Sequence, residues 1–312
     1  MALGVLAWSA PAHAAPKLKD SFDGKRGVTL WFKLDYAPFP QDGGGKYRDP
    51  TVIVFVPHHF RASDRRVDVV VHFHGHSTTA AEAMRTHQLR EQLHDSKQNA
   101  IMVVPQGPVN ARDSAFGTLE TRDGLERLLA EVVRELARDR TSRLLGNASL
   151  KGVRGVGMVC LSAHSGGYRA AALCVELGGI NVNEVYLFDA LYGRVGSFER
   201  WVSSAKNKKG RARHKLVSYY AGGSVRRNNL KLLRRLRTAG IGCHHERRPG
   251  TLSRSELTTG RALFIATPLA HGDVTHRHNG LRDCLFASGL RRRIDTDWFD
   301  DKDAPRNIQA RS

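Results

Sequence analysis

The stretch Val156-Gly-Met-Val-Cys-Leu-Ser-Ala-His-Ser-Gly-Gly-Tyr-Arg-Ala-Ala-Ala172 decides how this chain is read. It begins as an apolar run of strand length, passes through a turn of small residues with Ser165 at its apex, and continues as an alanine-rich helix. Ala163 stands two residues before Ser165 and Gly167 two after. That spacing lets strand and helix approach closely enough to push a hydroxyl outward, the logic of a nucleophile elbow and a relative of the G-x-S-x-G pattern. The same residues also suit a glycine-rich turn that cradles a phosphate on a helix N-terminus. The rest of the chain has to choose between them.

Upstream, Val28–Leu34 and Thr51–Val56 read as an opening antiparallel pair joined by a Gly- and Pro-rich loop at 38–50. Val67–Phe73 is a strand that runs into His74-Gly75-His76-Ser77, and a helical segment follows from about Ala80 to Leu93. Ala100–Val104 is a short strand, closed by Pro105-Gln-Gly-Pro108. The loop 109–117 leads to a long amphipathic helix over 118–138, marked by Leu125, Leu128, Leu129, Val132, Val133 and Leu136. Downstream, strands are expected at Val185–Phe188, Lys215–Ala221 and Leu263–Ala266, with helices near 198–203, 226–237 and 279–289. This alternation predicts an α/β fold: one mostly parallel central sheet covered by helices on both faces.

The 312 residues, 41% hydrophobic and 25% charged, are enough for one large core. The chain is divided into a signal peptide over 1–14, a catalytic domain over 15–292 and a polar C-terminal tail over 293–312. Ala12-His13-Ala14, after a short apolar run, is the A-x-A pattern of a leader cleaved before Ala15, which predicts a secreted or periplasmic protein. No stretch reaches the apolar length of a spanning helix. Cys160 and Cys174 flank Ser165 in apolar segments and read as buried thiols, while Cys243 and Cys284 are candidates to pair in an oxidising compartment. The formal charge of +19 attracts anionic partners in general, although the arginines are spread along the chain. The run Arg226–Arg237 sets Leu230, Leu233 and Leu236 opposite its bases, as in a solvated amphipathic helix, and no aromatic residue interleaves for base stacking. Specific nucleic-acid recognition is therefore not expected.

A serine becomes a nucleophile at neutral pH when a base takes its proton, and the base works best when a carboxylate fixes its tautomer. Ser165, Asp189 and His271 each follow an expected strand, in that chain order. With this order over residues 28–290, the chain resembles the α/β-hydrolase superfamily, in its serine esterase and lipase branch. The resemblance implies hydrolysis of an ester, less readily an amide, through an acyl-enzyme and without a cofactor. It implies Ser165 as nucleophile, His271 as base and Asp189 as acid, with His276 and His278 as alternative bases. In that superfamily the acid usually follows the strand after next from the elbow. Here that strand exits as Ala221-Gly-Gly-Ser-Val-Arg-Arg-Asn-Asn229 with no carboxylate, and Asp189 occupies the alternative place. His74-Gly75-His76 resembles the superfamily's H-G-x oxyanion segment, so Gly166, His76 and Gly75 form the expected oxyanion hole. His164, Gln106 and Ser114 are candidate substrate contacts, for a small-molecule or polymeric ester.

Two other readings use the same residues. His72, His74 and His76, with His164, Asp189 and His271 downstream, imitate the ligand order of a metal-dependent hydrolase, although the first cluster lacks the Asp-His pair such a site uses. A non-catalytic protein of the same fold would instead bind an anionic polymer or envelope surface through its basic face.

Overall fold

Buried runs of β-branched residues build the sheet, and their alternation assigns each side chain to one of its faces. A computed structural model describes residues 17–306; the expected leader over 1–14 and the last residues of the tail lie outside them. Ten strands form one sheet: β1 (Leu18–Gly24), β2 (Gly27–Lys33), β3 (Thr51–Pro57), β4 (Arg66–Phe73), β5 (Ala100–Pro105), β6 (Gly155–His164), β7 (Glu184–Phe188), β8 (Lys215–Tyr220), β9 (Cys243–Glu246) and β10 (Ala262–Ala266). Their order across the sheet is β1-β2-β3-β5-β4-β6-β7-β8-β10-β9. The pairs from β1 to β5 are antiparallel. All the others are parallel.

The helices are α1 (Ala80–Thr86), α2 (Leu89–Asp95), α3 (Gly124–Ala137), α4 (Asp139–Leu144), α5 (Tyr168–Leu177), α6 (Val195–Ser204), α7 (Gly223–Thr238), α8 (Arg254–Thr259) and α9 (Gly280–Phe286). Strand alternation divides the core in two. Val69, Val71, Leu161, Ala163 and Leu187 join α3, α5, α6 and α7 on one face. Val70, Cys160, Tyr186 and Phe188 meet α1, α2, α8 and α9 on the other. Among the described residues no helix is long and apolar enough to cross a membrane.

Topology and register place the site. From β4 the chain moves to β5 on one side and then returns to β6 on the other, so the order switches direction between β4 and β6. Ligands of open α/β sheets bind beyond the carboxyl ends of strands at such a point. Phe73 pairs with Ala163, His164 with Phe188, Phe188 with Tyr219, and Tyr220 with Ala266. The turns after β4, β6, β7, β8 and β10 therefore share one edge.

Several expectations change. The segment 80–93 is two helices, because Gln88 adopts a left-handed conformation (φ 49°) that stops one and starts the next. The long helix begins at Gly124 rather than near 118, after a short 3-10 turn over Gly117–Glu120. All four cysteines are free, and Cys284 is buried, so Cys243 and Cys284 are not joined. The polar tail is docked through residue 306. Trp298 stacks on Phe286 with ring centroids 5.2 Å apart, and Arg306 is buried in a two-pronged pair with Glu246 at 2.8 and 3.2 Å. A charged side chain becomes part of the interior when its partner satisfies it, which composition does not reveal.

Candidate active site

Ser165 sits at the end of β6 with φ 52°, a left-handed conformation that costs a non-glycine residue about 1–2 kcal/mol. The surroundings enforce it. A methyl on Gly75 would come 2.8 Å from the Ser165 Cβ and 3.2 Å from the His164 Nδ1, and one on Gly167 would strike the Phe73 carbonyl. The elbow and the turn after β4 are thus pressed together, which explains the small residues that marked the stretch in the sequence. Gly75→Ala is expected to destabilise the protein by about 1–3 kcal/mol through overpacking and to lower the catalytic rate by displacing Ser165. Gly272→Ala, whose methyl meets nothing within 4 Å, should leave both nearly unchanged. Urea midpoints and initial rates of the two variants make the comparison.

Asp189 follows β7, also left-handed (φ 44°) and 6% exposed. Its Oδ1 accepts the Ala221 N–H at 2.9 Å and its Oδ2 accepts from His271 Nδ1 at 2.6 Å. Burial alone would push this carboxyl up. The hydrogen bonds from His271 and Ala221 outweigh it and hold the group below its usual value, so it is ionised at neutral pH. An ionised carboxylate only accepts, so His271 donates from Nδ1 and keeps Nε2 as its accepting nitrogen. The His271 side chain is 43% exposed, at the rim. Among the described residues the Ser165 hydroxyl makes no hydrogen bond, to His271 or to another group. A hydroxyl rotates freely, and the bond to a base tightens in the transition state.

His164 sits directly behind this pair. Its Nε2 donates to the His271 backbone carbonyl at 2.9 Å, and the two rings lie 4.7 Å apart. Burial pushes its pKa down to about 4, so it is neutral when it does so. His87 packs edge-on against His164 at 4.6 Å, and His87 Nδ1 lies 3.2 Å from His72 Nε2. His72 Nδ1 in turn meets the Ser162 hydroxyl at 2.9 Å. Burial holds His72 and His87 well below their ordinary value. Three buried neutral imidazoles, His72, His87 and His164, thus lead from the core to the His271 backbone.

The turn after β4 carries the expected oxyanion segment. His74 is buried; its Nδ1 bonds the Gly75 carbonyl at 2.8 Å and its Nε2 accepts the Gly107 N–H at 2.9 Å. The Ser77 N–H is taken by the Ala111 carbonyl. Among the described residues the His76 N–H is free of any protein acceptor. The His76 ring and the Ser114 hydroxyl, 2.8 Å from each other, pack over Gly166. Ser114 thus brings the loop 109–117 to the elbow. Asp113 anchors that loop: a hydrogen bond from Tyr47 first, then the Ala115 N–H and Lys46, hold its carboxyl down to about 2.

Gln106 is placed differently from the substrate contact expected of it. It is 3% exposed, and its amide accepts the Ala80 N–H, donates to the Gly107 carbonyl and meets His74, so it braces the turn from beneath. His276 lies 3.9 Å from Asp273, while Asp189 pairs with His271. The histidines of the metal reading have separate partners, and among the described residues no three His, Cys, Asp or Glu side chains are grouped to hold a metal ion. Tyr192 escaped the sequence reading. It is 43% exposed, with its ring edge-on to His271 at 6.3 Å and 6.2 Å from Tyr168. Its place three residues past Asp189, at the same sheet edge, was the available signal. A cavity of about 530 Å³ lies at the other end of the sheet, where Arg66, Arg154 and Gly155 line it, so chemistry rather than volume locates the site.

With Ser165 in a strained turn after β6, and Asp189 and His271 after β7 and β10, the fold is α/β-hydrolase-like. No family model and no curated protein matches the chain. Among solved structures it is similar to a ferulic acid esterase (14% identity over 85% of this chain and 94% of the other, TM-score 0.47). It is also similar to a fluorophosphonate-binding serine hydrolase of Staphylococcus aureus (9% identity, 83% and 97% covered, TM-score 0.47). A third is the feruloyl esterase module from Clostridium thermocellum (12% identity, 92% and 96% covered, TM-score 0.45).

Proposed function

We propose that this protein is a serine hydrolase that cleaves carboxylic esters through an acyl-enzyme. The observation that carries the reading is the 2.6 Å bond from His271 Nδ1 to a buried, ionised Asp189, at the same sheet edge as a serine held in a left-handed turn. Ser165 Oγ attacks the ester carbonyl while its proton passes to His271 Nε2, and Asp189 stabilises the imidazolium that forms. The tetrahedral oxyanion lies against the Gly166 and His76 N–H groups, each of which would supply a few kcal/mol to the transition state. Collapse breaks the C–O bond, and His271 returns the proton to the departing alcohol. Water then attacks the acyl-serine by the same route, with His271 again taking and returning a proton. The leader expected over 1–14 would direct the enzyme to the periplasm or the medium.

His164 acts as a positioning residue. Its donor fixes the backbone of the base it lies behind, so its loss should affect turnover more than substrate binding. His164→Phe keeps an aromatic body but no donor and is expected to lower kcat about tenfold, the equivalent of about 1.4 kcal/mol, with KM little changed. His164→Gln, whose amide can still reach the carbonyl, should recover most of the rate. Equal losses in both variants, or a loss confined to KM, would place His164 in substrate contact instead.

A series of p-nitrophenyl esters of increasing acyl length tests the reaction. The wild type should turn over at least the short members, and Ser165→Ala should reduce turnover to that of the solvent. A Ser165→Ala protein that hydrolyses these esters at the wild-type rate would remove Ser165 from the mechanism.

A further inference from the structure

The most one-sided charge among the described helices lies on α7, which follows β8 beyond the sheet edge that carries Asp189. The sixteen residues of α7 carry Arg226, Arg227, Lys231, Arg234, Arg235 and Arg237 and no acidic residue. Val225, Leu232, Leu233 and Leu236 are buried, so the cations fill the exposed face. Beside it the edge strand β9 leads into Arg247, and between them runs a groove of about 520 Å³. Arg227, Lys231, Arg234, Arg237, Arg247 and His245 line it, with no carboxylate. Arg235 pairs with Glu199 at 2.9 Å, but among the described residues the five groove cations have no acidic partner.

Such a face works against its own helix. Like charges one turn apart repel, and Arg226 stands in a first turn that holds no acid, where the helix dipole favours one. His245 reports the same field: burial first, then Arg247, Arg237 and Arg226, push its imidazole down. An anion laid in the groove would relieve these repulsions together. We propose that the groove between α7 and β9 binds a linear chain of phosphate groups.

Three observations choose that ligand. Arg227, Lys231, Arg234 and Arg237 recur about one helical turn apart, along roughly 15 Å, which matches a row of charges rather than one ion. Four of the five cations are arginines, whose forked guanidinium grips phosphate through two parallel bonds. Asn228, Leu230 and Leu233 complete the lining, and it contains no Phe, Trp or Tyr. With no such ring to stack a base, the charged backbone is what is read.

The test uses fluorescence anisotropy with a labelled oligothymidylate and competition by inorganic polyphosphate, titrated at several salt concentrations. Binding by either polymer supports the groove, and the two arms separate a nucleic-acid from an inorganic source. The triple variant Arg227→Gln, Arg234→Gln, Arg237→Gln should weaken binding at least tenfold and lower the salt slope by about 2, since each phosphate left without its arginine removes roughly 0.7. Lys25→Gln, Arg143→Gln, Lys151→Gln removes the same charge elsewhere and should weaken binding far less. Equal weakening in the two triple variants would assign binding to the net charge of +19 and overturn the groove. So would binding of phosphatidylglycerol vesicles without binding of either polymer. Ester hydrolysis by both variants should match the wild type, so the outcome is independent of the catalytic proposal.

Discussion

Asp189→Asn should lower kcat about 10⁴-fold, the size of effect seen when the acid of an unrelated Ser-His-Asp enzyme is amidated. The amide can keep the Ala221 N–H on its oxygen, which turns its NH₂ toward His271. The imidazole must then accept at Nδ1 and carry its proton on Nε2, where it can no longer take one from Ser165. The geometry survives and the tautomer is wrong. The same substitution should change acid stability. Asp189 is held below its ordinary value of 3.8, so its contribution is fully present above that pH and is lost as pH falls through the lower folded value. Urea midpoints taken from pH 6 down to 3 should therefore fall less steeply below about pH 4 in Asp189→Asn than in the wild type. A variant with wild-type kcat would mean that the carboxylate does not set the tautomer of the base.

Ser165→Gly should abolish ester turnover and at the same time stabilise the protein. Glycine adopts φ 52° without penalty, which recovers about 1–2 kcal/mol of backbone strain and gives back somewhat under 1 kcal/mol in the entropy of the unfolded chain. The net gain is about 1 kcal/mol. Ser165→Ala loses the same hydroxyl but keeps the strain, so the glycine variant should be the more stable of the two inactive proteins. Differential scanning calorimetry of all three proteins reads the order directly. If alanine matches glycine, the left-handed turn holds no strain to release. Strain stored at a reacting group and released by inactivating it is the expected trade between stability and function.

Much of this site could be read from the sequence because small residues and strand ends are local signals. Ala163, Gly75 and Gly167 sit where two backbones meet, and the apolar runs that end at Phe73, His164, Phe188 and Ala266 define one sheet edge. The long amphipathic helix was legible because all six of its marked residues are buried. β1 and β9 were missed, since Leu-Lys-Asp-Ser-Phe-Asp-Gly is almost wholly exposed and Cys-His-His-Glu is polar; hydrogen bonding to a neighbour, not burial, makes them strands. The docked tail was hidden for another reason. Arg306 reads as a surface charge until Glu246, sixty residues away, is brought to it. His164 reads as a substrate contact in the sequence, and its place behind the His271 backbone was hidden because its partners, His271 and His87, are remote in the chain. Gln106 shows the reverse error, since a polar residue just past a strand end reads as a ligand contact but is spent on holding a turn.

The central claim is that Ser165 is a nucleophile activated by His271. A fluorophosphonate probe reacts covalently with such a serine and with few others in a folded protein, and the modified peptide can be located by mass spectrometry. The account predicts one probe per chain, attached at Ser165 in the peptide that contains Ala163-His-Ser-Gly-Gly167, with labelling lost in Ser165→Ala and strongly slowed in His271→Ala. Folded protein that takes up no probe, or takes it up on another residue while Ser165 stays free, would contradict it.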